Sequence, residues 1–321
     1  MFNPDKYYDF LTIVDMSTMK VSIPKNSHFS IGTSPYYAHQ HGLAIDVYHN
    51  FSLQNYEVIS PISGTVIKIK TLKAPKPKFK DGTDKEYLIL ISNIYHSKSV
   101  YKILHVNPKI QEGEKVNVGD IIGNTIRNGY FAYWSSPHLH LELKTFKDAY
   151  RVKGGKAFSL ATQNSDLKTL SENKDNLGLI PVEIKYIYPE FILAQLPDYM
   201  YNYIDPFYGV GCNCNDINCL IDGGIPIYKS GIILFSCEPK LESKNIIYLN
   251  KHRVGELRGN YKNLGSVLFD QVIFLLNGEK IRGISLFMAG FIPLIKIIPE
   301  KINQFSFEPN SNQYLSIISN Q

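Results

Sequence analysis

The chain has 321 residues, 44% of them hydrophobic and 20% charged, with a net charge of +5. This composition excludes a disordered chain, and the length suits two domains. The excess of Lys is spread out and forms no basic block interleaved with aromatics, so no nucleic-acid partner is expected.

Met1 to Phe10 carries neither a basic n-region nor an apolar h-region. No secretory signal is therefore expected, and a cytoplasmic location is favoured over unconventional export. The most apolar stretch, Ile284 to Ile298, is short for a membrane span and is broken by Pro293 and Lys296. A soluble protein without a transmembrane segment is expected. With 22 Tyr and 17 Phe beside frequent Ile and Val, β structure is favoured.

Residues 1–35 hold the apolar runs Phe10 to Val14 and Val21 to Ile23 and are expected to pack on the following domain as an N-terminal extension. Over residues 36–150, Ala44 to Tyr48, Thr65 to Lys70, Tyr87 to Ser92 and Val100 to His105 read as short strands. Lys73 to Glu86, with two prolines and alternating lysines, is expected to be a solvated loop rather than a substrate-binding wall. The stretch Ser135 to Lys144 reads as a strand, and a strand points successive side chains to opposite faces. His138, His140 and Glu142 then share one face, while Leu139, Leu141 and Leu143 share the other. Two imidazoles beside a carboxylate point to metal binding or acid–base chemistry, the alternative being a solvated polar face.

Residues 151–180 lose hydrophobicity and read as a linker or insertion. Beyond them, residues 181–321 read as a second β-rich domain of unknown role, with strands at Ile232 to Cys237, Ile246 to Asn250, Val267 to Leu276 and Lys280 to Met288. Asn277-Gly278 between two apolar runs is a hairpin signal. Cys212, Cys214 and Cys219 lie close in sequence, with Cys237 beyond. These four sulfurs are a candidate structural zinc site, with a disulfide or free thiols as alternatives.

Seven of the nine histidines fall between His39 and His140. The segment Ala38 to Tyr48 contributes His39, His41 and Asp46. One of those imidazoles, Asp46 and His140 would make the two-His, one-acid set that catalytic zinc uses, leaving a fourth position for water. His105 ends another strand. His28, His49 and His96 are expected to be bystanders.

The order of these motifs resembles the lysostaphin/LytM-type zinc metallopeptidases, peptidoglycan endopeptidase-like proteins of the duplicated hybrid motif build. The matching pieces are His41 to Asp46, Ser60-Pro61-Ile62-Ser63-Gly64-Thr65-Val66, His105, Gly113 to Thr125, and Pro137 to Glu142. They span about residues 36–145. The resemblance implies a mainly β protein, with a LytM-like antiparallel β-sandwich peptidase domain over 36–150. It implies a zinc metalloendopeptidase (a hydrolase of peptide bonds), whose substrate is a peptide or a peptidoglycan-like cell-wall peptide. It further implies that Asp46 and His140 bind zinc, with His138 and His105 beside it as general base and transition-state stabiliser.

The first ligand is open. The family spaces its first pair His-x3-Asp, whereas His41 lies five residues before Asp46 and His39 seven. Either a bulge eased by Gly42, or a ligand in the loop before the strand, must correct the parity. His41 is preferred because it needs one inserted residue. Where the family has a short Gly/Ser loop, this chain has Ile126 to Trp134, whose aromatics either line a cleft or pack as core. The competing readings are a non-catalytic LytM-like binding or regulatory module and a histidine phosphocarrier of related fold.

Overall fold

A computed structural model describes residues 9–163, 168–169, 178–240 and 245–319. Residues 1–8, 164–167 and 170–177, which include parts of the expected N-terminal extension and linker, lie outside the described residues. Contacts divide the chain into two compact units, Met1–His28 with Asp46–Ala161, and Phe29–Ile45 with Thr162–Gln321.

The first unit opens with an antiparallel hairpin of β1 (Phe10–Met16) and β2 (Met19–Pro24). The chain then enters the second unit at β3 (His28–Ser30), continues there through a helical turn α1 (Tyr37–Gln40), and returns to the first unit within β4 (Ala44–Tyr48). Next come β5 (Glu57–Ile59), β6 (Gly64–Lys73), β7 (Lys85–Ser92) and β8 (Ser99–Leu104). The last four are β9 (Val106–Pro108), β10 (Lys115–Val116), β11 (Ile121–Thr125) and β12 (Leu139–Thr145). Strands β4, β12, β8, β7, β6 and β10 are hydrogen-bonded in that order, with β12–β8, β8–β7, β7–β6 and β6–β10 antiparallel. Strands β5, β11 and β9 form a second antiparallel sheet. Val58, Ile62, Val66, Ile91, Ile103, Val106 and Ile122 are buried, as alternation on strands that cover a common core requires.

The excursion from Lys73 to Glu86 keeps its lysines exposed, as expected of a solvated loop, and is tied down by backbone hydrogen bonds. Ala74 N donates to Asp84 O (2.7 Å), Thr83 N to Arg127 O (2.9 Å) and Gly129 N to Pro75 O (3.0 Å). The Arg127 guanidinium lies 4.0 Å from the Phe79 ring centroid. These contacts tie the excursion to the aromatic stretch that follows β11.

The second unit is also antiparallel β. Its strand pairings close into two rings of six among the described residues, which removes sheet edges as a barrel does. One ring runs Leu179–Ile187, Ile192–Gln195, Ile295–Pro299, Glu279–Leu286, Ile273–Leu276, Asn312–Ile318 and back. The other runs Phe207–Cys214, Ile217–Ile225, Ser230–Leu234, Leu264–Phe269, His252–Tyr261, Ile246–Leu249 and back. Asn277 and Gly278 make the expected tight hairpin, with φ of 51° and 81° and Leu276 facing Glu279. The run Val267 to Leu276 is two strands, not one. It breaks because Val272 N turns back onto Asp270 O (3.1 Å) and the Asp270 carboxylate holds Arg253 Nε at 2.8 Å. Among the described residues, no helix is long and apolar enough to cross a membrane.

Candidate metal centre

Strand β12 carries the alternation expected of it, but both faces are buried. Leu139, Leu141 and Leu143 fill one side. On the other, His140, Glu142 and Lys144 are also enclosed, Lys144 completely. Charges survive there only if paired and hydrogen-bonded. Glu142 supplies the pairing, with Oε1 2.8 Å from Lys102 Nζ and Oε2 2.7 Å from Lys144 Nζ, while Lys144 also donates to Gly154 O at 2.7 Å. Burial alone would raise the pKa of Glu142, but His140 and Lys102 overcome it and hold the carboxyl below the ordinary range.

His140 sits between two carboxylates, with Nδ1 2.9 Å from Asp46 Oδ1 and Nε2 3.3 Å from Glu142 Oε1. Burial works to lower its pKa, and the two carboxylates reverse that and raise it to about 9. The metal-free ring thus holds a proton that a metal ion would displace. Asp46, on β4, is buried, and its Oδ2 is 3.3 Å from His138 Nε2. His138 Nδ1 is 2.9 Å from Ser136 O. A carbonyl can only accept, so Nδ1 carries the proton and Nε2 the lone pair. Burial, ahead of every other influence, lowers His138 to about 4, so the ring is neutral at ordinary pH.

At the histidine left open between His39 and His41, the structure groups His39 with Asp46 and His140. Ligand atoms of His39, Asp46 and His140 all lie within 4.8 Å of one another, and this buried group could hold a metal ion. His41, preferred on spacing, is exposed. Its Nδ1 is 2.8 Å from Tyr37 O and its ring stacks on Tyr37 at 4.1 Å. The parity argument assumed a strand, whereas residues 37–40 form a helical turn. Gly42, with φ of 62°, ends that turn, Gly42 N bonding to His39 O and Leu43 N to Ala38 O. The glycine is a helix stop rather than a bulge. Gly42→Ala should lower stability by about 1 kcal/mol, read as a shift in thermal or urea unfolding, because an L side chain is strained in this conformation.

His39 Nδ1 lies 2.8 Å from Ile31 O, so the ring donates from Nδ1 and offers Nε2 as ligand. A backbone carbonyl in this position fixes ring and tautomer in the way metal-ligating histidines require. Two imidazoles and one carboxylate suit zinc. The four cysteines do not join in a comparable group among the described residues. Cys212, Cys214 and Cys219 are buried side chains and Cys237 is exposed, so the expected structural zinc site has no tetrad to hold it. Cys212 and Cys219 face each other across paired strands and, with Cys214, belong to the hydrophobic core as free thiols.

His105 follows β8 with φ of 66°, a conformation rare outside glycine and common at functional sites. Glu86 holds it by both ends, accepting from His105 N at 2.8 Å and lying 2.6 Å from Nδ1. Asn128 Nδ2 donates to the same carboxylate at 2.9 Å. Burial would push the Glu86 pKa up, yet the charge and hydrogen bonds of His105 and the Asn128 amide bring it down to about 2. Sequence reasoning missed Glu86. Its alternation with Leu88 and Leu90 on the buried face of β7 was the available signal. In the aromatic stretch, Phe131 packs on the histidines, 4.8 Å from the His105 ring and 5.0 Å from His138, whereas Tyr130 is exposed. The His105 ring lies 5.3 Å from His138 and 5.7 Å from His140.

Residues 17–160 match the family model described as the N-terminal domain of DUF8155, a domain of unknown function, and residues 201–308 match the C-terminal domain of DUF8155. No curated protein matches the chain. Among solved structures, a chain of the SpoIIQ–SpoIIIAH pore-forming complex shares 18% identity over 42% of this chain and 84% of its own, with a TM-score of 0.27. The solution structure of lysostaphin shares 18% identity over 58% and 83%, with a TM-score of 0.26. The antimicrobial peptidase lysostaphin from Staphylococcus simulans shares 16% over 77% and 95%, with a TM-score of 0.25.

Proposed function

We propose that the protein is a zinc-dependent metallopeptidase that hydrolyses peptide bonds, with peptides of the cell-wall type as substrate class. The convergence of His39, Asp46 and His140 carries this reading. The motif order from His39 through Pro137-His138-Leu139-His140 agrees with it. His39 through Nε2, a carboxylate oxygen of Asp46 and His140 would hold the metal. Zinc bound there would supply a Lewis acid and acidify a water to a pKa of about 7.

The chain's own residues divide the remaining work. His138 is neutral with its Nε2 lone pair turned toward Asp46, so it serves as the base that takes a proton. Glu86 takes the Nδ1–H of His105 and orients its ring, so that His105, when protonated at both nitrogens, donates from Nε2 to the negative charge that develops on the scissile carbonyl oxygen. Phe131 excludes water from the face it covers.

The test is hydrolysis of glycine-rich and D-amino-acid-containing peptides by the full chain. Activity should disappear with a zinc chelator and return with added zinc, while His138→Ala should keep its zinc and lose about 10²–10⁴-fold in turnover. Zinc-loaded protein that cleaves none of these peptides would leave the non-catalytic module as the reading.

A further inference from the structure

We propose that Asp222, from the C-terminal half of the sequence, is a positioning residue for His39, acting through the backbone of Ile31; this rests on the reading of His39 as a metal ligand. Asp222 lies on the strand Ile217–Ile225. Its neighbours Cys219, Ile221 and Ile225 belong to the hydrophobic core, so the alternation turns Asp222 to the outer face of its ring. A carboxylate there would ordinarily meet water, yet Asp222 is 1% exposed.

Residues 30–32 cover it. Asp222 accepts three hydrogen bonds, from Ser30 Oγ (2.7 Å), Ile31 N (2.5 Å) and Gly32 N (2.9 Å). The approach is backbone to backbone, since a Cβ at Gly32 would come 2.6 Å from Asp222 O. Ser30 Oγ in turn accepts from Thr33 N at 3.0 Å. One carboxylate therefore fixes successive residues of the covering segment, and the carbonyl of the middle one, Ile31, receives the Nδ1–H of His39. Burial raises the Asp222 carboxyl to about 7 against the pull of these donors, a cost to folding that a neutral residue would avoid. The link from carboxylate to peptide to imidazole has the form of an outer-shell support that sets a ligand's tautomer and aim.

The test uses the full chain with ¹⁵N-labelled histidine. Long-range ¹H–¹⁵N correlation of the metal-free protein should show His39 in the Nδ1–H tautomer, assigned by its loss in His39→Ala. In Asp222→Ala the ring should average between tautomers, and the cobalt(II) dissociation constant, read from visible absorption, should rise about 10–100-fold. Asp222→Asn keeps an acceptor oxygen and should fall between, and Ser30→Ala, which deletes one donor, should shift both readouts least. A folded Asp222→Ala protein that melts lower but keeps the His39 tautomer and the cobalt affinity would overturn the link and leave Asp222 as a packing residue. If Asp222→Ala does not fold, unchanged tautomer and affinity in both Asp222→Asn and Ser30→Ala overturn it equally. If the wild-type chain binds no cobalt, the metal reading fails on its own, while the tautomer comparison still decides the role of Asp222.

Discussion

His39→Ala should strip the purified protein of its zinc, whereas His41→Ala should retain about one equivalent, measured by elemental analysis after dialysis. The contrast is large because the two rings, only two residues apart, have different surroundings. His39 is buried with its Nδ1–H held by a carbonyl, and its ligand atom lies within 4.8 Å of those of Asp46 and His140. His41 spends its Nδ1 on Tyr37 O and its face on the Tyr37 ring. Removing one of three protein ligands leaves too few for a stable site at neutral pH, so His140→Ala should behave as His39→Ala does. Zinc retained in His39→Ala but lost in His41→Ala would restore the spacing argument and defeat the geometric one.

Glu86→Gln should weaken both the fold and the chemistry. Glu86 ionises at about 2 in the folded chain against 4.5 ordinarily. Because the folded value is the lower, its contribution is fully present above about pH 4.5 and is lost as pH falls through about 2. At 1.36 kcal/mol per unit, that contribution is about 3 kcal/mol at neutral pH. Urea unfolding of metal-free protein between about pH 2 and 6 should show a shallower acid limb in the variant than in the wild type. Glu142, also held low, should preserve part of the slope. Turnover should fall by at least about 10²-fold with zinc still bound, since His105 loses the anion that orients its ring. An acid limb identical to that of the wild type would show that Glu86 is not ionised against His105.

The strand around His140 was legible because period-two alternation needs no knowledge of what packs on either side. Leu139, Leu141 and Leu143 against His138, His140 and Glu142 could be read directly, and so could the Asn277-Gly278 turn. The same local signals set the all-β class and the bounds of β4. What they could not give is where two segments distant in sequence meet. That Glu142 pairs through its two oxygens with Lys102 and Lys144 appears only in the folded chain. Glu86 lies 19 residues before His105, and only the pairing of β7 with β8 brings them together.

Residue type and motif order pointed to a His-rich candidate site in the first half with Asp46, His105, His138 and His140. Tertiary structure groups His39, rather than His41, with Asp46 and His140. The segment before β4 folds as a helical turn ended by Gly42, a choice set by packing of residues 29–45 with the C-terminal half rather than by strand parity. The closure of the C-terminal strands into rings, with Asp222 facing outward under residues 30–32, is likewise invisible in any local window. The cover over Asp222 depends on hydrogen bonds between residues nearly two hundred positions apart, and the rings close through pairings such as Leu179 with Ser316 and Cys214 with Ile247, contacts that no local propensity or spacing encodes.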